Sequence, residues 1–158
     1  MVDLSENNLV ELVRSIRSST NDSLVEFKTF VIDVGTTLFD RFMTDMHPFD
    51  YVLNLSALKH VRSEKDIYSM LRMIEVNVLN SIKVQKYCLK MQTKKYFCVS
   101  TDKAANPTNI MGATKLLMES ALNAHENFGN LSYARFANVA FSDGSLLFGM
   151  DRRLHAKQ

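Results

Sequence analysis

A chain of 158 residues, 46% hydrophobic and 23% charged, is long enough for a packed core and has an ordinary globular composition. Its formal charge of +2 is spread over mixed signs, which excludes a basic face for nucleic acid. The polar start Met1-Val2-Asp3-Leu4-Ser5-Glu6 excludes a signal peptide, and no apolar run nears the roughly 18 residues of a membrane span.

The predicted elements alternate along one domain, residues 1–158. Ser5 caps a helix with Leu9, Leu12, Val13 and Ile16 at helical spacing. Phe27 to Val34 reads as a strand ending in Asp33, Thr36 to Met46 as a short helix closed by His47-Pro48, and Tyr51 to Ala57 as a second strand. A long helix is predicted from about Ser63 to Met91, with Ile67, Leu71, Ile74, Val78 and Ile82 along one side. Lys95 to Thr101 is almost continuously apolar, as a strand covered on both faces should be. Pro107 or Thr108 opens a helix to about Asn127, Leu131 to Val139 forms a fourth strand, and a terminal helix covers about Ser145 to Lys157. Such alternation with short joints means an α/β fold with a mostly parallel sheet and helices on both faces. Cys88 and Cys98 fall inside apolar elements, so buried reduced thiols and a cytoplasmic location are expected.

Ligands in such sheets bind at the carboxyl ends of the strands, where Asp33, Ser56-Ala57, Ser100-Thr101-Asp102 and Asn138 would gather on one rim. The densest chemistry lies in residues 100–115, STDKAANPTNIMGATK, which join a strand end to a helix start. There Met111 and Lys115 are spaced to share a helix face. Of the five glycines, Gly35, Gly112, Gly129, Gly144 and Gly149, no two have the G-x-G spacing of a pyrophosphate loop. His47, His125 and His155 lack metal-ligand spacing, and no metal site is expected.

The run at 100–115, with Ser56-Ala57-Leu58-Lys59-His60-Val61, Asn77-Val78-Leu79 and Arg135-Phe136-Ala137-Asn138-Val139, resembles the CapD-like polysaccharide-biosynthesis family. Those proteins are extended short-chain dehydrogenases acting as UDP-N-acetylglucosamine 4,6-dehydratases. The resemblance covers about Val2 to Ser145 and implies an incomplete Rossmann-type three-layer fold. The family's first strand and glycine-rich loop, and its C-terminal substrate domain, are expected to be missing.

By the same resemblance, Thr101, Asp102, Lys103, Met111 and Lys115 form the catalytic set. Met111 stands where tyrosine usually stands. NAD would take the C4 hydrogen and return it at C6, Lys103 would accept the C5 proton, and Asp102 would protonate the departing C6 hydroxyl. Such a lysine must fall from about 10.4 towards neutrality and such an aspartate rise from about 3.9. Both side chains can reach one sugar only if the strand has begun to turn there.

Asp3, Asp33, Val34, Leu55, Ser56, Ala57, Lys59, Asn77 and Lys115 resemble cofactor-binding positions, and Asn138 a substrate-side position. The partners implied are a UDP-sugar and either a second copy or a complementing chain. Weak or no NAD binding, and no turnover, are expected of this chain alone. A non-catalytic binding or oligomerisation module and a nucleotide-sugar epimerase are the alternatives, although Asp102-Lys103 favours elimination. Plainer roles stand beside these: a solvated ion pair for Asp102-Lys103, core packing for Met111, a surface charge for Lys115, a satisfied buried amide for Asn77, and caps for Asp3 and Asp33.

Overall fold

The computed structural model describes residues 1–19, 25–59, 65–124, 129–140 and 145–156. It divides into two units, Met1–His47 and Pro48–Gln158. In the first, β1 (Val2–Asp3) pairs in parallel with β2 (Phe30–Val31), and α1 (Glu6–Ser19) and α2 (Thr37–Asp45) follow them in turn. The start of α1 is capped as expected: the Ser5 hydroxyl accepts from the Asn8 amide at 3.2 Å. The Asp3 carboxylate accepts from the Ser5 amide at 2.7 Å, the capping role allowed for it.

The strand expected over Phe27 to Val34 pairs only at Phe30–Val31. The chain turns immediately afterwards, because Asp33 accepts from the Gly35 amide at 2.8 Å and its carbonyl from the Thr36 amide at 3.1 Å. Phe39 and Met43 of α2 are buried, and Phe42 stacks on Phe30 with ring centres 4.8 Å apart.

The second unit is built on β3 (Tyr51–Asn54), β4 (Lys95–Thr101) and β5 (Leu131–Phe136), all parallel and in that spatial order. Asn54 lies opposite Cys98, and Thr101 opposite Phe136. The α/β class, the parallel sheet and the partial Rossmann-like topology are therefore those expected. β3 stops at Asn54 rather than Ala57 because Asn54 Oδ1 accepts from both the Ser56 amide, at 3.2 Å, and the Ser56 hydroxyl, at 2.5 Å. β5 stops at Phe136, short of Val139.

On β4, Tyr96, Cys98 and Ser100 are buried, whereas Phe97, Val99 and Thr101 are only half-buried. The unbroken apolar run thus does not correspond to equal cover on both faces.

The long helix expected from Ser63 to Met91 is α3 (Ile67–Ile74) and α4 (Asn80–Lys90), joined by a π-helical turn at Glu75–Leu79. Residues 63 and 64 lie outside the described residues. The buried positions along these helices are Met73, Asn77, Val78, Asn80, Ser81, Val84, Gln85 and Cys88, while Ile67 and Leu71, before the π-helical turn, are exposed.

Strand β4 runs directly into a single 3-10 turn, Asp102–Ala104. Helix α5 is Ile110–Asn123, starting later than Pro107 or Thr108 because Asn109 is its cap, accepting from the Gly112 amide at 2.8 Å. The expected end near Asn127 lies outside the described residues, as do His60, His125 and the stretch 141–144. Helix α6 (Leu146–His155) is capped by Ser145 and buries none of its residues. Cys88 and Cys98 are free and buried. No described helix is long and apolar enough to cross a membrane.

Candidate active site

In the second unit, the tip of β4, the loop after β3, the loop after β5 and the first turns of α5 carry the candidate residues. Thr101 caps the 3-10 turn, and its hydroxyl donates to Asp102 Oδ1 at 3.0 Å. Because the strand turns at Asp102, that residue and Lys103 lie together: Lys103 Nζ donates to Asp102 Oδ1 at 3.1 Å and to Asn138 Oδ1 at 3.3 Å. The condition set on the turn is met, and Asn138 joins the pair from the loop after β5.

The electrostatics of this pair differ from the expectation. Asp102 was expected to rise, but hydrogen bonds from Lys103 and then Thr101 hold its carboxyl below the usual range. The desolvation expected at Lys103 is also lacking, since its side chain is 39% exposed and that of Asp102 50%. The two side chains meet at 3.1 Å with both partly exposed.

Helix α5 abuts the same turn. A Cβ on Gly112 would stand 2.8 Å from the Lys103 carbonyl oxygen, so only glycine permits this approach. Met111 is buried. Lys115 is not a surface charge: it is 3% exposed, and its ammonium donates to the Val99 carbonyl at 2.9 Å and lies 3.8 Å from Met118 Sδ. Burial pulls the amine down to about 8, partly offset by nearby Cys98 and Glu119.

Asn77 sits in the π-helical turn and is completely buried. Its Oδ1 accepts from the Leu58 amide at 2.9 Å, and its Nδ2 donates to the Leu58 carbonyl at 3.0 Å and to Thr114 Oγ1 at 3.1 Å. Thr114 in turn donates to the Met111 carbonyl at 2.8 Å. One amide thereby fixes the loop holding Leu55, Ser56, Ala57 and Lys59 against the helix bearing Met111 and Lys115. Leu55, Ser56 and Lys59 are exposed on that loop and Ala57 is half-buried. Asp3, Asp33 and Val34 belong to the first unit, where the two aspartates serve as local caps.

Sequence reasoning missed a second set of residues. Glu119, one turn beyond Lys115, is 3% exposed and accepts from the Ser100 hydroxyl at 2.5 Å. Arg135 grips the same carboxylate through Nε at 3.0 Å and its terminal nitrogen at 2.5 Å. An acid four places after a lysine on an inward helix face was the available signal. Among the described residues no cluster of three His, Cys, Asp or Glu could hold a metal.

Lys115 supplies a buried amine and Asn77 a clamped loop beside it, whereas the chain contains no G-x-G to cradle a pyrophosphate.

The chain matches the model of the polysaccharide biosynthesis protein family over residues 1–157. An uncharacterised membrane protein of Methanocaldococcus jannaschii is 32% identical over 152 residues, covering 93% of this chain and 43% of that protein. A UDP-N-acetylglucosamine 4,6-dehydratase (inverting) of Campylobacter jejuni is 34% identical over 113 residues, 68% of this chain and 33% of the enzyme. UDP-glucose 4-epimerases of Rickettsia species also match. The chain therefore spans less than half the length of these relatives.

Among solved structures, Pen from Bacillus thuringiensis superposes with a TM-score of 0.77 at 26% identity, over 98% of this chain and 47% of Pen. A short-chain dehydrogenase/reductase superfamily protein from Agrobacterium tumefaciens with bound NAD shares the fold at a TM-score of 0.66 and 16% identity, over 99% of this chain and 57% of that one. The Rossmann-like sheet and the match along almost the whole chain agree with the resemblance read from residues 100–115. The chain belongs to the polysaccharide biosynthesis protein family.

Proposed function

We propose that this chain carries the elimination half of a nucleotide-sugar 4,6-dehydratase acting on a UDP-N-acetylhexosamine. The observation that carries the reading is the Asp102–Lys103 pair at the turn of β4, bridged to Asn138 and backed by α5. Dehydration needs a neutral amine to accept the C5 proton and a protonated carboxyl to give one to the departing C6 hydroxyl. The resting ion pair holds the same single proton on the other partner.

A sugar lying over the pair removes its water and disfavours both charges, so the proton shifts from Lys103 to Asp102. Lys103 then takes the C5 proton, the C5–C6 double bond forms, and the C6 oxygen leaves as water with the proton from Asp102. The ammonium–carboxylate pair is restored. NAD, when bound, would supply the acceptor for the C4 hydride and its donor back to C6; the C4 hydroxyl proton would leave by way of the Thr101 hydroxyl to solvent, and Lys103 would return a proton to C5 as the double bond is reduced. Lys115 and the Leu55–Lys59 loop hold the nicotinamide end, and Thr101 positions the C4 hydroxyl.

The missing pyrophosphate cradle must come from another segment or a complementing chain, and this chain alone binds NAD weakly and does not turn over. The epimerase relatives suggest a second reading, but an epimerase has no use for an acid–base pair at C5 and C6.

Nuclear magnetic resonance with UDP-N-acetylglucosamine tests the assignment. Shifts should concentrate at Thr101–Lys103 and Asn138 and vanish in Lys103→Ala. Shifts elsewhere, or shifts retained in Lys103→Ala, would refute it.

A further inference from the structure

Glu119 joins three elements that each carry part of the site. It lies on α5 one turn after Lys115, it is bonded to Ser100 next to Thr101 at the tip of β4, and it is gripped by Arg135, three residues before Asn138, on β5. Its carboxylate is almost fully buried, whereas the Arg135 side chain is 41% exposed. A carboxylate removed from water this completely survives only with partners, and all its partners here belong to elements of the site.

Lys115 is faced by Cys98 of β4 and Glu119 of its own helix, with Tyr96 and Cys88 beyond Cys98 and Arg135 behind Glu119. Burial pushes the Cys98 thiol up, so at neutral pH it is uncharged. The hydrogen bonds from Arg135 hold Glu119 ionised. Glu119, one turn along α5 from Lys115 and equally buried, is then the carboxylate whose charge acts on the ammonium.

We propose that Glu119 is a positioning residue for this site, its buried carboxylate setting the charge state of Lys115 while locking the tips of β4 and β5 to α5. The functional sense of this rests on the dehydratase reading, in which Lys115 holds the nicotinamide ribose, but the placement of two buried, oppositely charged side chains one turn apart on α5 does not. A purely structural Glu119 would hold the strands and leave the lysine indifferent to its charge.

The test follows the Lys115 amine by nitrogen-edited NMR of the full chain between pH 6 and 11 (about the range spanned by ordinary and shifted lysines), with neither cofactor nor sugar present. Glu119→Gln keeps an oxygen for Ser100 and Arg135 but removes the charge, and should lower the Lys115 midpoint by about one pH unit. Arg135→Met leaves the carboxylate without its guanidinium, and should move the midpoint up. Should Glu119→Gln not fold, the upward shift in Arg135→Met decides alone. Unchanged midpoints, or shifts in the same direction, would overturn the proposal. Because no ligand is used, its failure stays separate from failure of the dehydratase reading.

Discussion

The side-chain amide of Asn77 holds both backbone polar groups of Leu58, at 2.9 and 3.0 Å, across a separation of 19 residues. Asn77 lies within the π-helical turn at Glu75–Leu79 and is completely buried there. Asn77→Ala strands the amide and carbonyl of Leu58 and removes the donor to the Thr114 hydroxyl, which keeps its bond to the Met111 carbonyl. Urea unfolding should show a loss of about 2–4 kcal/mol. Asn77→Asp accepts but cannot donate while ionised, so its deficit should narrow as pH falls and the buried carboxyl regains its proton.

Lys115 has a folded value of about 8 against an ordinary 10.5. Between those two values the unfolded chain binds more protons than the folded one, so this group adds stability as pH rises through that window. Below it the whole penalty is present. Lys115→Met removes the charge at a cost of the Val99 hydrogen bond, and should be more stable than the parent at neutral pH by about 2 kcal/mol. That advantage should fade as pH approaches 10.5. Cys88 and Cys98, both raised by burial, are common to the two proteins and cancel in the difference. Melting curves across alkaline pH check the sign.

Gly112 lets α5 touch the turn at Asp102–Ala104, and the obstacle to a side chain is the Lys103 backbone, which cannot rotate away. Gly112→Ala should cost about 1–3 kcal/mol by thermal or urea unfolding despite alanine's better helix propensity. The same substitution at Gly149, whose Cβ direction is open, should be neutral or stabilising.

The exposed Asp102–Lys103 contact should contribute almost nothing to folding. Lys103→Ala and Asp102→Asn should therefore melt at the parent temperature, so any loss of sugar binding in them is a property of the site. A large drop in melting temperature for either would assign the pair a structural role instead.

The parallel order of strands was legible because alternation of strand and helix admits few other arrangements. The cluster at residues 101–103 was legible because hydroxyl, acid and amine are adjacent in sequence. Partners 19 to 37 residues apart, such as Ser100 with Glu119 or Asn77 with Thr114, leave no local pattern. The π-helical turn was hidden because Ile67, Leu71, Ile74, Val78 and Ile82 fit a regular helix equally well. The lowered carboxyl of Asp102 comes from hydrogen bonds that Lys103 and Thr101 make only once the strand has turned, which composition does not reveal. Strand ends were overextended at Asp33 and Asn54 because a short polar side chain folding back on its own backbone competes with the ladder.

Calorimetric titration of the chain with NAD, in the presence of saturating UDP-N-acetylglucosamine, is the most direct check that the turn of β4 and the amine of α5 serve one ligand site. Weak, millimolar-range heat that disappears in Lys115→Met, with the fold intact, is the expected result. Heat that survives Lys115→Met unchanged would contradict the assignment and favour a protein that kept this core for binding or assembly alone.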